Sequence, residues 1–473
     1  MDLSVVTIFS FADNKTLSQG SGVVLTEEGM VATNYHVFAG GDKLIVKQKN
    51  KIINQVQILG VDVEQDVMMI KIPPKSFPHC RIGKSGDLKI GQRVYAIGSP
   101  QGLENTFTEG IISGIRQLDE NNQNFLQTTT ALSPGSSGGA LVNAKGELIG
   151  ICTMTLSSEG QLLNFAIPVD ELDKVKIKNI SDKRSLDAFN YFFVGSNAFR
   201  TGNYEKAKNN FQKSIQSNPE YTVAFNNLGI TYDRLQDYSN AVTNLEKAVE
   251  LDPGYAIAWA NLGVVYRHDK DYKNSVKAIM QAIKLKPDNA KYFYNAGLAY
   301  FSKGDFADAV IHYKKAIELE KNYFEAYNNI GVIYFNENDF EKAVENYRKA
   351  VDINPKYSTG QENLGLACLK NKQYKEGATS YRLAIKYGVN TIEAFYNLAK
   401  CYFLTGEYEE AIRYFLKVTD KDPMHAKSFY FLSLCYEKTG YQMKVNEHRL
   451  HSFAIKPNWK NATAEELYGM LVE

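Results

Sequence analysis

A serine, a histidine and an aspartate that together could make an alcohol reactive stand far apart in this 473-residue chain, each in a distinctive setting. The serine is Ser137, in the stretch Ser133-Pro134-Gly135-Ser136-Ser137-Gly138-Gly139-Ala140-Leu141, where small residues crowd around a hydroxyl with no evident packing purpose. Glycines at 135, 138 and 139 let the backbone adopt dihedrals closed to other residues and turn N–H groups toward a substrate oxygen, as stabilising an oxyanion demands. A hydroxyl nucleophile also needs a base, and the base needs a group to orient it. His36, in Ala32-Thr33-Asn34-Tyr35-His36-Val37, and Asp66, in Gln65-Asp66-Val67-Met68-Met69-Ile70-Lys71-Ile72, supply both. Taken as residues, they form a candidate catalytic triad in the order His, Asp, Ser, and such triads are recognised by role and geometry rather than by order.

The elements that must carry these residues are strands. Short β-branched runs at 22–25, 44–46, 52–58 and 93–97 alternate with turn signals such as Glu27-Glu28-Gly29-Met30 and Asn143-Ala144-Lys145-Gly146. That pattern predicts an all-β region for residues 1–170. Each candidate has a plain structural reading when taken singly: a loop serine, a histidine beside a strand, a turn aspartate. It is their joint occurrence that favours a triad. His79 and Cys80 are adjacent, but no glycine-rich loop surrounds them, and both are read as structural.

Residues 4–170 resemble a trypsin-like serine protease domain of the HtrA/Deg type. The resemblance rests on Gly20-Ser21-Gly22-Val23-Val24, the histidine box Thr33-Asn34-Tyr35-His36-Val37 and the aspartate box Asp66 to Ile72. It extends to the turns Gly98-Ser99-Pro100-Gln101-Gly102 and Gly110-Ile111-Ile112-Ser113 and the closing strand Asn164-Phe165-Ala166-Ile167-Pro168. It implies two six-stranded barrels, with His36 and Asp66 on the first and Ser137 on the second. His36 would take the Ser137 proton, Asp66 would hold the imidazole, and the N–H groups of Gly135 and Ser137 would form the oxyanion hole, with no metal or cofactor required. Ala131 and Leu132 fall where the family has the floor of its primary specificity pocket, which implies small or aliphatic side chains before the scissile bond. Ser136 replaces the aspartate of digestive trypsins and the asparagine usual in HtrA relatives. Activation by a freshly cut N-terminus is therefore not expected, and activation through loop rearrangement or partner binding is.

The bulk composition limits the alternatives. At this length two or more domains are expected. With 54 basic and 53 acidic side chains the net charge is +1, which gives no electrostatic reason to expect nucleic acid or an anionic membrane surface. The five cysteines (Cys80, Cys152, Cys368, Cys401 and Cys435) show neither close pairing nor zinc-type spacing, so the fold should not depend on disulfides. No apolar run reaches the roughly 18–20 residues of a membrane helix, and no basic-then-apolar leader opens the chain. As written, the sequence implies a cytoplasmic protein, or a periplasmic or secreted one if a leader has been removed.

A polar linker is expected at 171–186, and from Asp187 the chain repeats itself. Prolines fall at 219, 253, 287, 355, 423 and 457, and Lys321 and Val389 fill the two gaps in this 34-residue grid. Leu228, Gly229, Tyr232, Ala241, Ala248 and Pro253 recur as Leu262, Gly263, Tyr266, Ala282 and Pro287, and the units resemble tetratricopeptide repeats (TPR). Eight units are expected over 187–458, followed by a capping helix over 459–473 with Leu467, Met470 and Leu471 on one face. A single unit cannot bury its apolar faces, so neighbours must stack into an all-α solenoid with a concave groove. Asn227, Asn261, Asn295, Asn329, Asn363 and Asn397 recur on the first helix of successive units. They either bind an extended peptide backbone in the groove or support packing between repeats, and the sequence leaves both open. Asn226, Ile230, Ala260 and Val264 beside them lack the Lys and Asn pattern of chaperone-tail-binding relatives, so chaperone C-termini are not expected as ligands.

Two functions follow as expectations. The first is a serine endopeptidase whose TPR groove recruits a protein substrate or regulator, without nucleic acid or a membrane span. The second is a non-proteolytic TPR scaffold whose protease domain is idle.

Overall fold

Strand residues that alternate between two different cores, rather than between core and water, shape the N-terminal part of the protein. In the computed structural model, which describes all residues except 1–3, 13–14, 42, 50, 64, 74–76, 100–105, 118–123, 134, 159–160, 175–182, 464, 468 and 470–473, thirteen strands precede the first α-helix. Strands β1 (Val5–Ala12), β2 (Lys15–Val24), β3 (Met30–Thr33), β4 (Lys43–Gln48), β5 (Lys51–Ile53), β6 (Gln57–Asp62) and β7 (Val67–Lys71) form an antiparallel sheet in the order β5-β4-β1-β2-β3-β7-β6. Strands β8 (Arg93–Gly98), β9 (Thr106–Gln117), β10 (Asn124–Thr128), β11 (Ala140–Asn143), β12 (Leu148–Ser158) and β13 (Gln161–Pro168) close a barrel in the order β10-β13-β12-β11-β8-β9.

The first sheet thus departs from the six-stranded closed barrel that the resemblance implied. It has seven strands, and its ends, β5 and β6, are not joined among the described residues.

Strand β7 explains why Val67-Met68-Met69-Ile70 reads as an unbroken apolar run. Met68 and Ile70 join Val6, Val24, Val31 and Tyr35 in the core of the first sheet. Val67 and Met69 turn the other way, into a cluster with Val23, Phe125, Ala140, Ile151 and Ile167 that spans both sheets. A strand buried on both faces loses the polar alternation that a half-solvated strand keeps. The barrel interior is a third cluster, built from Val94, Ile112, Leu126, Leu141 and Ile149.

Sixteen α-helices follow in the described part of the chain. Helix α1 (Lys183–Arg200) begins inside the stretch expected as linker, and α2 (Tyr204–Ser217) follows. Helix α3 (Thr222–Arg234) pairs with α4 (Tyr238–Leu251), α5 (Ala256–His268) and α6 (Tyr272–Leu285) come next in the chain, and α7 (Ala290–Lys303) pairs with α8 (Phe306–Leu319). They continue as α9 (Phe324–Asn336) with α10 (Phe340–Ile353) and α11 (Ser358–Lys370) with α12 (Tyr374–Lys386). The last are α13 (Ile392–Thr405) with α14 (Tyr408–Lys421) and α15 (Ala426–Thr439) with α16 (Gln442–Ile455). Of the expected capping helix, Leu467 is buried, and Met470 and Leu471 lie outside the described residues. The chain divides into two compact units, Met1–Val265 and Tyr266–Glu473.

The 34-residue period has a local physical basis. The side chains of Asn203, Asp237, Asp271 and Asp339 each cap the second helix of a unit by accepting a backbone N–H three residues on. One residue earlier the chain enters the left-handed region, at Gly202, Gln236, Lys270, Gly304, Asn338, Lys372, Gly406 and Gly440. The first helix contributes a glycine against a ring of the second: Gly195 on Phe211, Gly297 on Tyr313, Gly331 on Tyr347 and Gly365 on Tyr381. Without a Cβ the two helices close onto the ring.

Gly331→Ala tests this contact. The new methyl would sit 2.7 Å from the ring of the buried Tyr347. Overpacking costs about 1–3 kcal/mol against a helix-propensity gain of about 1 kcal/mol, so a lower thermal midpoint is expected. Tyr347→Leu should lessen the effect of Gly331→Ala, and a midpoint that Gly331→Ala leaves unchanged or raises would refute the account.

Candidate functional site

Strand pairing delivers the histidine and the aspartate to one place. Thr33, at the end of β3, pairs with Met68, at the start of β7. The residues just beyond, on a 3-10 turn over Tyr35–Val37 and at Asp66, are therefore neighbours. Asp66 sits at φ 56, a left-handed conformation that aspartate tolerates better than most residues. Its carbonyl accepts from the Tyr35 N–H at 3.2 Å and from Asn34 Nδ2 at 2.9 Å. Its carboxylate then wraps the histidine: Oδ1 accepts the His36 backbone N–H at 2.9 Å, and Oδ2 faces His36 Nδ1 at 2.7 Å. A carboxylate only accepts, so Nδ1 carries the proton and Nε2 is left as the basic nitrogen of the neutral ring.

Ser137 reaches the same place from the barrel, on the loop that enters β11. Its hydroxyl donates to the carbonyl of Thr153 on β12 at 3.0 Å, and the Thr153 hydroxyl donates to Asp66 Oδ2 at 2.8 Å. One threonine thereby touches both the candidate nucleophile and the candidate orienting carboxylate. Among the described residues, no hydrogen bond joins Ser137 Oγ to His36, because the single hydroxyl proton is engaged by Thr153. Gly135 has φ 98, and neither its N–H nor that of Ser137 has a partner among the described residues. Both are available to a ligand oxygen.

Ser21 of β2 fastens the loop to the first sheet. Its N–H donates to the Ser137 carbonyl at 2.7 Å, its hydroxyl donates to the Gly135 carbonyl at 2.7 Å, and the same hydroxyl accepts the Ser99 N–H at 2.9 Å. Gly138, at φ 85, lies against the Ser21 carbonyl and the Thr33 hydroxyl, with no room for a Cβ. Neither Ser21 nor Thr153 was singled out from sequence for a hydrogen-bonding role. Ser21 lies in the Gly20 to Val24 signature, whereas Thr153, in Cys152-Thr153-Met154-Thr155, carries no signal short of the fold.

A cavity of about 50 Å³ opens beside the loop, lined by Ala131, Leu132, Ser133, Ser136, Ile97 and Cys152, among others, none of them charged. His79 and Cys80 stand apart from this cluster. His79 Nδ1 meets the Phe77 carbonyl, and Cys80 is buried, which pushes its thiol up and away from thiolate.

Burial disfavours the charged form of His36, but the hydrogen bond and the negative charge of Asp66 outweigh it and hold the imidazole above its ordinary value of 6.5. The ring is 33% exposed, so the excess is softened by solvent. A raised value means the ring loses its proton only as pH climbs past it. Any activity that needs neutral His36 should therefore fall on acidification with an apparent midpoint above 6.5. In Asp66→Asn the midpoint should move down and the rate above it should drop steeply, since the tautomer is no longer held. A pH profile of kcat/KM for a short ester or peptide checks both.

The ladder asparagines are engaged with their neighbours. In the first compact unit, Asn261 Nδ2 donates to Asn226 Oδ1 at 2.9 Å, and Asn226 Nδ2 donates to Asn227 Oδ1 at 2.9 Å. In the second, Asn363 Nδ2 donates to Asn328 Oδ1 at 2.9 Å, Asn328 Nδ2 to Asn329 Oδ1 at 3.3 Å, and Asn329 Nδ2 to the Tyr294 hydroxyl at 3.2 Å. Asn295 is half-buried and Asn397 is buried.

The trypsin-like peptidase domain family matches residues 20–151. Tetratricopeptide repeat families match 190–221, 226–290, 297–337, 324–357 and 392–425. Over 157 residues the chain is 41% identical to a DegP-like periplasmic serine endoprotease of Pseudomonas fluorescens, a match covering 32% of this chain and 33% of that protein. Over 169 residues it is 37% identical to a protein of Synechocystis named as the serine protease HhoB, covering 34% of this chain and 40% of that one. The chain thus spans well under half the length of these relatives. Among solved structures, an HtrA-type protease with tripeptide is 37% identical over 37% of this chain and 58% of its own, at a TM-score of 0.34. No helix among the described residues is long and apolar enough to cross a membrane. On these domain matches, the chain joins a trypsin-like peptidase domain similar to those of HtrA/DegP-like proteases to an array of tetratricopeptide repeats.

Proposed function

We propose that the protein is a serine endopeptidase that works through an acyl-enzyme, and that its repeat array recruits a protein substrate or regulator. The observation that carries this reading is the Asp66 carboxylate, which holds His36 Nδ1 on one side and, through Thr153, adjoins Ser137 on the other. For reaction, the Ser137 hydroxyl turns from the Thr153 carbonyl toward His36. Neutral His36 takes its proton at Nε2 as Oγ bonds to the scissile carbonyl carbon, and the carbonyl π electrons become the oxyanion, facing the N–H groups of Gly135 and Ser137. The imidazolium, stabilised by Asp66, gives its proton to the leaving amine as the C–N bond breaks. Water, giving a proton to His36 Nε2, then attacks the ester carbonyl, and as the C–Oγ bond breaks the imidazolium returns that proton to Ser137 Oγ. The uncharged lining at Ala131 and Leu132 and the small cavity favour a small or aliphatic side chain before the cleaved bond.

The ladder carboxamides support recruitment only in part. Each has two N–H groups and a carbonyl oxygen, so the single bonds between repeats at Asn261 and Asn363 leave hydrogen-bonding capacity for an extended peptide, and Asn295 stands half-buried on the same ladder. The periplasmic naming of the Pseudomonas relative favours a periplasmic setting over a cytoplasmic one. The second reading, a repeat scaffold with an idle peptidase domain, draws on the resting Ser137 hydroxyl, which donates to Thr153 and not to His36.

A fluorophosphonate probe separates the two. Labelling of the folded protein that is lost in Ser137→Ala and after denaturation supports the peptidase, and an absence of labelling with and without candidate partners supports the scaffold. Replacing Asn261, Asn295 and Asn363 together by alanine should weaken capture of a partner by a Ser137→Ala bait, while the same replacements in the wild-type background leave short-peptide cleavage within about twofold.

A further inference from the structure

The turn that carries His36 is held from outside the peptidase domain. Asn190, on α1 in the first repeat, presents one oxygen to two donors that bracket this turn. The Tyr35 hydroxyl donates to Asn190 Oδ1 at 2.7 Å, and the Gly40 N–H donates to the same oxygen at 2.9 Å. The contact lies within the first compact unit and reaches into its core. The Tyr35 ring is fully buried, and the ring of Phe193, one turn along α1 from Asn190, packs edge-on against it at 5.5 Å. Leu186, Phe189 and Phe193 join the same apolar cluster as Val37 and Phe38. Val63, in the turn just after β6, packs against both that cluster and the one holding Phe192, Phe211 and Leu228 of the first two repeats.

We infer that α1 is a positioning element for His36, with Asn190 as the positioning residue acting through Tyr35, so that the first repeat sets the competence of the base. Tyr35 couples to the site by its backbone as well as its ring, since its N–H donates to the Asp66 carbonyl and His36 is the next residue. A buried phenol whose hydroxyl loses its acceptor must move or leave a polar group unpaired, and either outcome disturbs the turn. Displacements near 1 Å at a general base are enough to cost large factors in rate. Asp66 is the charged group that faces His36, so a loosened turn lengthens that contact and lowers the proton affinity of the imidazole.

This inference rests on the proposed acyl-enzyme reading for its kinetic readout, so the test adds one that needs no catalysis. In the full-length protein, Asn190→Ala should slow fluorophosphonate labelling of Ser137 and short-peptide kcat by about tenfold or more, with KM little changed. Tyr35→Phe, which removes only the hydroxyl, should slow both in the same direction, and the double variant should be no worse than the poorer single one. Asn190→Asp keeps an acceptor oxygen and should restore most of the rate at pH above the acid limb. By NMR of isotope-labelled histidine, with the His36 signal assigned from its loss in His36→Gln, the titration midpoint should fall by about half a unit or more in Asn190→Ala. If wild type is never labelled, the acyl-enzyme reading fails, and the NMR midpoint alone decides the inference. Unchanged labelling and an unchanged His36 midpoint in folded Asn190→Ala would overturn it. Should that variant fail to fold, Tyr35→Phe decides by the same two measurements.

Discussion

The carboxylate of Asp66 is the constraint around which the site is arranged. It accepts the backbone N–H and the ring N–H of His36 and the hydroxyl of Thr153, so three groups from two separate sheets converge on two oxygens. A half-buried carboxylate with three charge-assisted hydrogen bonds is satisfied only when both sheets are in register around it. Its left-handed backbone is part of the same arrangement, because φ 56 turns the carbonyl to Tyr35 and Asn34 while the side chain turns to His36 and Thr153. The strain of that conformation is offset by the bonds it makes possible.

Sheet packing supplies the frame. The cluster between the two sheets draws Val23 and Val67 from one and Ala140, Ile151 and Phe165 from the other, and the non-directional burial of these side chains sets how closely the sheets approach. Directional bonds then fix the register. Ser21 places the Ser137 loop through two of its carbonyls, and the missing side chain at Gly138 lets the backbones meet. The apolar contacts provide most of the energy, and the hydrogen bonds determine which of several packings is adopted.

The helical array follows a different logic. The units are built on contacts within about 34 residues: a left-handed turn residue in each, with a side-chain cap in some and a glycine under a ring in others. Stability in such arrays is close to a sum of unit and neighbour contributions, so changes within one unit stay local unless that unit touches something else. The first unit does, since α1 shares the apolar core of the first sheet and meets Tyr35 beside His36.

Sequence alone determined what depends on residue type and short-range spacing. The repeat period, the helices and the strand-rich first third were legible, and His36, Asp66 and Ser137 stood out as candidates, because caps, turn glycines, apolar periodicity and a glycine-rich loop are local signals. The two-sided burial of β7 was legible only as an apolar run, which does not say which residue faces which core. Tertiary structure decided the rest: seven strands in the first sheet, α1 starting at Lys183, and the partners of the site. Thr153 lies 87 residues from Asp66, Ser21 lies 114 from Gly135, and Asn190 lies 155 from Tyr35. A hydroxyl or a carboxamide can bond to almost any polar group, so its type names no partner, and only the folded backbone brings one within three ångströms.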